Sequence, residues 1–144
     1  MSIIVNDDGF APDHWQGGFL DADNLEQLSV AEKTAQAVQF ENTLDVDTLI
    51  PYFDQIDMIR LQSPVFSDGR AFSQARRLRM LGFVGRLRLC GHVLADQYAM
   101  ARRSGFDEVE ISDEMGARQP QSQWQARADW QKNDYQQRMR QFGG

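Results

Sequence analysis

Residues 57–112 read DMIRLQSPVFSDGRAFSQARRLRMLGFVGRLRLCGHVLADQYAMARRSGFDEVEIS, and this stretch decides the fold. It contains three predicted strands, at 57–61, at 87–90 and around Val109 and Ile111, and two predicted helices, at 73–81 and 95–103. Short apolar runs bounded by turn residues are typical of buried strands. Strands that alternate with helices in this way require a parallel sheet with crossover helices, so the stretch predicts an α/β fold.

The sequence patterns N-terminal to this stretch also alternate predicted strands with predicted helices. They predict a strand at 2–5 with a turn at 6–9, an otherwise irregular N-terminal segment over 1–24, a helix capped at Ser29 with Glu32 in its first turn, a strand at 37–40, and a helix capped by Asp45 or Asp47. Residues 1–144 are therefore predicted to form a single α/β domain of about four βα units. The sheet is expected to be mainly parallel, and either half-barrel-like or open.

The segment 119–142 differs in composition, because it contains eight glutamines. Spacings of four and three place Trp124, Ala128, Gln131, Tyr135, Arg138 and Phe142 on one face, which predicts a C-terminal helix. One interpretation is that this helix docks on the sheet. The other is a partner-binding helix, in which Trp124 and the off-stripe Trp130 anchor another protein.

Composition indicates a soluble protein of the cytoplasm. The chain is 42% apolar and 25% charged, which is ordinary for a globular domain. Its N-terminus lacks the basic start and long apolar run of a signal peptide, and no stretch is long enough to span a membrane. One cysteine and two histidines are too few for an iron–sulfur cluster or a structural zinc site, so we expect no metal and no bound cofactor.

Charge is unevenly distributed along the chain. Residues 1–57 contain twelve acidic residues and one lysine, a balance of −11, whereas 70–103 contain eight arginines and one acid, a balance of +7. Thirteen of the fifteen cations are arginine, whose planar fork suits oxyanions and carboxylates. Alternatively, the two segments neutralise each other across the fold. A net charge of −6 with so little lysine argues against nucleic-acid binding.

Ligands of parallel α/β folds bind beyond the carboxyl ends of the strands, which draws attention to the corner at 62–73. Ser73 is expected to begin a helix whose free N–H groups attract an anion, and Arg70 and Arg76 can reach the same space. Asp68 could orient Arg70 or accept a proton. These residues fit an oxyanion or partner site, and they equally fit a structural turn.

The next corner, at 91–97, supplies further candidates. Asp96 and Gln97 open a helix, and Gln97 joins the candidate anion or partner site. Asp96 could act as a general base if desolvated, or could form a structural ion pair with Arg70 or Arg76. His92 follows a strand end, a position suited to proton transfer. Cys90 is interpreted as a small core residue. The catalytic residues stay unknown at this point, with Asp68, Asp96 and His92 as candidates.

The same corners carry a family resemblance. Its motifs are FSDGRAFSQARRLR at 66–79, GFVG at 82–85 followed by Leu87 and Arg88, then Gly91, Val93, Leu94, Asp96 and Gln97, and finally RSGFD at 103–107. Over roughly 57–110 the chain resembles a bacterial domain-of-unknown-function family whose members are labelled oxidoreductases of sulfite reduction.

The resemblance implies genes beside the siroheme sulfite reductase hemoprotein and a role in sulfur assimilation. Because the chain offers so few ligands for a redox centre of its own, we expect an accessory protein that acts with that hemoprotein. The alternative is an enzyme or sensor that binds a small oxyanion or a phosphorylated metabolite at the arginine-rich helix start. The sequence alone does not decide whether the chain is an enzyme.

Overall fold

The computed structural model of the protein describes residues 2–15, 18–28, 36–64, 69–128 and 130. In this part of the chain a single sheet contains seven strands. They are β1 (Ser2–Asn6), β2 (Gly9–Pro12), β3 (Leu20–Asp21), β4 (Ala37–Phe40), β5 (Met58–Ser63), β6 (Arg86–Gly91) and β7 (Glu108–Ser112).

The sheet has the strand order β2-β1-β7-β6-β5-β4-β3. Strands β3 to β7 are parallel to one another, whereas β1 pairs antiparallel with both β7 and β2. The predicted α/β class and mainly parallel sheet are therefore confirmed. From β3 to β7 each strand lies beside the one before it in the chain. Right-handed crossovers in one direction place all connecting helices on the same face.

The helical segments follow the strands. They are α1 (Arg70–Met80), α2 (Tyr98–Ser104), α3 (Asp113–Arg118), α4 (Gln121–Gln125) and three 3-10 helices at Ala22–Gln27, Val46–Gln55 and Ala95–Gln97. The helix at Val46–Gln55 begins as predicted, since the Asp45 carboxylate accepts a hydrogen bond from Asp47 N–H. In the described residues no helix has both the length and the apolar character needed to cross a membrane.

One face of the sheet packs against the helices and forms the apolar core. Its strand residues include Val38, Ile59, Leu61, Leu87, Leu89, Val109 and Ile111, and its helical residues include Leu49, Phe72, Leu78, Tyr98 and Ala101. The edge-to-face contact between Phe72 and Phe106, with centroids 6.2 Å apart, ties α1 to the segment that leads into β7. The residues between these apolar positions point to the opposite face.

The N-terminal segment is more regular than predicted. The turn at 6–9 joins β1 and β2 into a hairpin, in which the Asn6 side chain accepts a hydrogen bond from Asp8 N–H at 2.9 Å. Residues 10–24, expected to be irregular, contribute to β2 and β3 because the open edges of the sheet offer them backbone partners. The capping box predicted at Ser29 and Glu32 lies outside the described residues.

The C-terminal segment contacts the helical layer through two tryptophans of different exposure. Trp124 is only 1% exposed, packs edge-to-face on Tyr98 and donates from Nε1 to Gln119 O. Trp130 is half-buried, and its Nε1 donates to Asp7 while the Arg102 guanidinium lies 4.8 Å from its ring. Trp124 is thus enclosed by the chain's own core. Residues 131–142 of the predicted helix lie outside the described residues.

This difference predicts unequal stability losses for the two tryptophans. Trp124→Ala should lower the free energy of unfolding by about 3–5 kcal/mol, because it empties a fully buried site. Trp130→Ala should cost about 1 kcal/mol, close to the value of one cation–π contact. Urea unfolding followed by circular dichroism measures both losses. A Trp124 loss no larger than that of Trp130 would contradict the docking of this segment.

Candidate functional site at the carboxyl ends of the strands

The corners after β5 and β6 meet at one edge of the sheet. His92 N–H donates to Ser63 O at 2.9 Å, and the Ser63 hydroxyl donates to His92 O at 3.2 Å. Gly91 makes this approach possible, because its φ is +118° and a Cβ atom there would lie 2.5 Å from Ser63 O. Ser63 and His92 therefore form a rim at this edge of the sheet, whereas residues 65–68 of the first corner lie outside the described residues.

The residues proposed for the first corner are spread along α1. Asp68 lies outside the described residues. The helix starts at Arg70 rather than at Ser73, whose N–H already bonds to Gly69 O at 3.3 Å. Ser73 and Arg76 are exposed, and Arg76 starts about 9 Å further along the axis than Arg70. Of these residues, only Arg70 lies in the first turn of the helix.

The polar residues of the second corner make local contacts. Asp96 is 80% exposed and pairs with Arg127 at 2.8 Å, not with Arg70 or Arg76, so it is not the desolvated carboxylate that the general-base interpretation assumed. The Gln97 side chain accepts a hydrogen bond from Leu94 N–H at 2.8 Å and so caps the start of the short helix Ala95–Gln97. His92 is exposed at the rim.

A cleft of about 380 Å3 opens beside this rim, on the face of the sheet that points away from the helices. It is lined by Ser2, Cys90, Gly91, His92, Glu110, Ile111, Ser112 and Met115. The cleft therefore combines the end of β6 with the end of β7 and with the first residue of β1. Parallel α/β folds place their ligands at such an edge.

The thiol of Cys90 is the most perturbed group in the cleft. Burial raises its pKa to about 12, and the neighbouring Glu110 carboxylate, 3.4 Å from Sγ, acts in the same direction. The Ser2 hydroxyl donates to the same carboxylate oxygen at 3.4 Å. Since the thiolate is the reactive form of cysteine, Cys90 is held in its unreactive state near neutral pH.

Arg88 occupies the centre of the face that carries the cleft, and its side chain is fully buried. It bonds to Glu108 at 2.6 Å and to Glu110 at 2.7 Å, and both carboxylates come from the adjacent strand β7. It also bonds to Asp13 at 3.1 and 3.2 Å. Burial acts to lower the pKa of Arg88, but the carboxylates outweigh it and the pKa is raised, so the group stays charged.

Arg60 lies next to Arg88 in the same row of the sheet, on β5. Its guanidinium bonds to Glu110 at 3.2 Å, donates to the Gln39 side chain and stacks 3.7 Å from the centre of the Phe19 ring. Phe19 in turn contacts Trp15, with ring centroids 6.3 Å apart. Asp13, Trp15 and Phe19, which lie between β2 and β3 in the sequence, therefore cover this charged face.

The sequence analysis missed this network, although a signal was present. Charged and apolar residues alternate in all three central strands, as in Ile59-Arg60-Leu61, Leu87-Arg88-Leu89 and Val109-Glu110-Ile111. Strict alternation indicates a sheet with one apolar and one polar face, whereas strands with helices on both sides read as continuous apolar runs. What the sequence could not supply is the register, which pairs Arg88 with Glu108 and Cys90 with Glu110.

The family described as "Bacterial protein of unknown function (DUF934)" matches residues 37–142 of the chain. The chain belongs to the DUF934 family. The expected resemblance to a bacterial domain-of-unknown-function family is confirmed, and the match extends well beyond the stretch 57–110 on which it rested. No curated protein and no solved structure matches this DUF934 chain.

The DUF934 match includes the cleft residues of β6 and β7 and both central arginines, Arg60 and Arg88. It leaves out Ser2, Asp13 and Phe19, which reach the same face from the N-terminal segment. No group of three or more His, Cys, Asp or Glu side chains in the described ranges is arranged to hold a metal ion.

The state of Cys90 in this DUF934 chain can be tested by alkylation. With a pKa of about 12 the thiol is almost fully protonated at pH 8, whereas an unfolded cysteine, with a pKa of about 8.5, is about one quarter thiolate. Iodoacetamide should modify the folded protein at least about a hundredfold more slowly than the protein in urea. Because Cys90 is the only cysteine, mass spectrometry reports one site. Equal rates would contradict the raised pKa.

Proposed function

We propose that this chain is an accessory protein of assimilatory sulfite reduction that acts by binding the siroheme sulfite reductase hemoprotein. The support for the sulfur-assimilation context is the resemblance carried by the ordered motifs from 66 to 107. The support for a binding role, as opposed to a catalytic one, comes from the chemistry of the cleft.

The observation that carries the binding role is that the thiol and the carboxylate at the centre of the cleft, Cys90 and Glu110, are already engaged. Cys90 is held as a thiol by burial and by Glu110. Glu110 itself accepts hydrogen bonds from Arg60 and Arg88, so its charge is neutralised by two guanidinium groups. A nucleophile needs a low pKa or an adjacent free base, and this pair offers neither. The family that the chain resembles is labelled an oxidoreductase. If that label holds for this chain, the electron transfer would use a cofactor that the partner contributes.

The oxyanion-binding alternative has weaker support. It relied on Arg70, Ser73 and Arg76 converging on a helix start at Ser73, but the helix starts three residues earlier. A small anion at that start would meet the N–H groups of the first turn and Arg70, while Arg76 begins about 9 Å away along the axis. The exposed Ser73 and Arg76 are better placed for contact with a protein surface.

The proposal predicts a direct complex with a functional effect. Tagged chain should co-purify with the purified hemoprotein, and sulfite reduction by the hemoprotein with an artificial electron donor should change when the chain is added. Cys90→Ala serves as the matched control. It should keep the complex and the effect, because the thiol does no chemistry in this account.

Two results would count against the proposal. Absence of a complex together with equal sulfite reduction in the presence and absence of the chain would remove the accessory role. If folded Cys90→Ala protein bound the hemoprotein but no longer changed its activity, the chain would be catalytic and the binding-only role would be wrong.

A further inference from the structure

The guanidinium of Arg88 has one edge that the sheet does not use. Its Nε donates to Glu108 at 2.6 Å and its Nη1 donates to Glu110 at 2.7 Å, so strand β7 engages Nε and one N–H of Nη1. The other N–H of Nη1 and one N–H of Nη2 form a fork, and Asp13 accepts from both, at 3.1 and 3.2 Å. Arginine binds planar oxyanions through two parallel bonds of this kind. The fork is therefore a complete carboxylate site, and Asp13 occupies it.

The Asp13 side chain separates this fork from solvent. The Arg88 side chain has no exposed surface, whereas that of Asp13 is 25% exposed. Asp13 directly follows the end of β2, and Trp15 N–H donates to its carboxylate at 3.0 Å. Burial acts to raise the pKa of Asp13, but the hydrogen bonds from Trp15 N–H and Arg88 outweigh it and the pKa is lowered. The group that covers the fork is thus a charged carboxylate from a connecting segment, one side chain below the surface.

The charges of the network balance only when Asp13 is included. Arg60 bonds to Glu110 at 3.2 Å, and Arg86 bonds to Glu108 at 2.7 and 2.8 Å. In the described part of the chain the network consists of three arginines and three carboxylates, namely Arg60, Arg86, Arg88, Asp13, Glu108 and Glu110. Without Asp13, three positive charges would face two negative ones. A buried charge needs a partner, and a single carboxylate restores the balance.

The fork and the carboxylate in it come from different parts of the chain. Arg88, Glu108 and Glu110 lie within the DUF934 match over residues 37–142, whereas Asp13 precedes it. The sheet thus supplies the site, and the N-terminal segment supplies a group that has the shape and charge of a ligand. Asp13 also shows what fits there, which is a planar group with two oxygen atoms and one negative charge.

We propose that the Nη1–Nη2 fork of Arg88 is a binding site for a small molecule that carries a carboxylate, and that Asp13 closes this site as an internal competitor. The carboxylate of the ligand takes the place of the Asp13 side chain, and the segment around Asp13 and Trp15 is released from the sheet. No covalent bond changes in this exchange. The inference goes beyond the proposed function and does not depend on it.

A divalent oxyanion fits this site less well than a carboxylate. Sulfate in place of Asp13 would bring a second negative charge beside Glu108 and Glu110, and the network would carry an uncompensated charge away from water. A carboxylate reproduces both the planar, two-oxygen geometry and the charge of Asp13. The ligand class is therefore a monovalent carboxylate.

The test uses the full chain with Asp13→Ala, because this substitution removes the internal carboxylate and leaves space for formate. Thermal melts are recorded at increasing sodium formate, with ionic strength held constant by sodium chloride. Glu114→Ala is the matched control. It removes the carboxylate partner of Arg118, whose side chain is 70% exposed and bonds to Glu114 at 2.6 Å. An exposed guanidinium stays hydrated, so this variant should gain no formate site.

We expect Asp13→Ala to melt below the wild type in chloride and to recover about half or more of the lost melting temperature in formate. Its affinity for formate, taken from the dependence of the melting temperature on concentration, should exceed that of the wild type by about tenfold or more. The reason is that Asp13 occupies the wild-type site for most of the time. Sulfate should stabilise Asp13→Ala no more than it stabilises Glu114→Ala.

A second measurement uses the wild-type chain, so it does not depend on the folding of a variant. Hydrogen exchange of the amides at 13–15 should be about threefold faster or more at the highest formate concentration than in chloride, because the segment is released. The amides of β6 should exchange at the same rate in both salts.

Three results would overturn the proposal. If formate stabilises Asp13→Ala no more than Glu114→Ala, the Arg88 fork does not bind a free carboxylate. If exchange at 13–15 in the wild type is the same in formate and chloride, a ligand does not displace Asp13. If sulfate stabilises Asp13→Ala more than formate does, the assignment to a carboxylate is wrong. The complex with the hemoprotein is measured separately, so none of these results bears on the accessory role.

Discussion

The buried guanidinium of Arg88 lies between carboxylates from two distant parts of the chain. Glu108 and Glu110 come from the adjacent strand β7, and Asp13 comes from the segment between β2 and β3. A charge without water costs several kcal/mol unless it is paired and fully hydrogen-bonded. Arg88 meets this requirement only when the N-terminal segment is in place over the sheet. The interaction therefore couples the docking of that segment to the pairing of the central strands.

The same constraint determines what the cleft can do. Arg60 and Arg88 both hold Glu110, and Glu110 in turn accepts a hydrogen bond from the thiol of Cys90. The Glu110 carboxylate is thus engaged by two guanidinium groups, and burial raises the pKa of the thiol beside it. The charged face of the sheet thus holds residues of the N-terminal segment against the central strands.

The sequence predicted the fold class because local signals were strong where they mattered. The short apolar runs predicted the positions of β5, β6 and β7, and glycines predicted where the intervening helices end. The start of α1 was misplaced because Ser73 is a favoured cap, whereas Ala71 and Phe72 are buried in the core and draw the helix back to Arg70. Local cap preferences are small compared with the burial of an aromatic ring.

The hydrogen-bond network of Arg88 could not be predicted from the sequence, for a different reason. The alternation in β6 and β7 showed that arginines and glutamates share a side of each strand, but not that the two strands are neighbours in register. The contact between Asp13 and Arg88 was still harder to predict, since 75 residues separate them in the sequence. Trp124 is a similar case, because its spacing fits both a docked helix and a partner-binding one, and only its burial distinguishes them.

The most direct test of the account is a double-mutant cycle between Arg88 and Asp13. Urea unfolding of Arg88→Met, Asp13→Asn and the double variant gives their coupling free energy, with Arg118→Met and Glu114→Gln as an exposed reference pair. We predict a coupling of about 1.5 kcal/mol or more for the buried pair, and about 0.5 kcal/mol or less for the exposed pair. Additive effects of Arg88→Met and Asp13→Asn would show that Arg88 does not hold the N-terminal segment on the sheet.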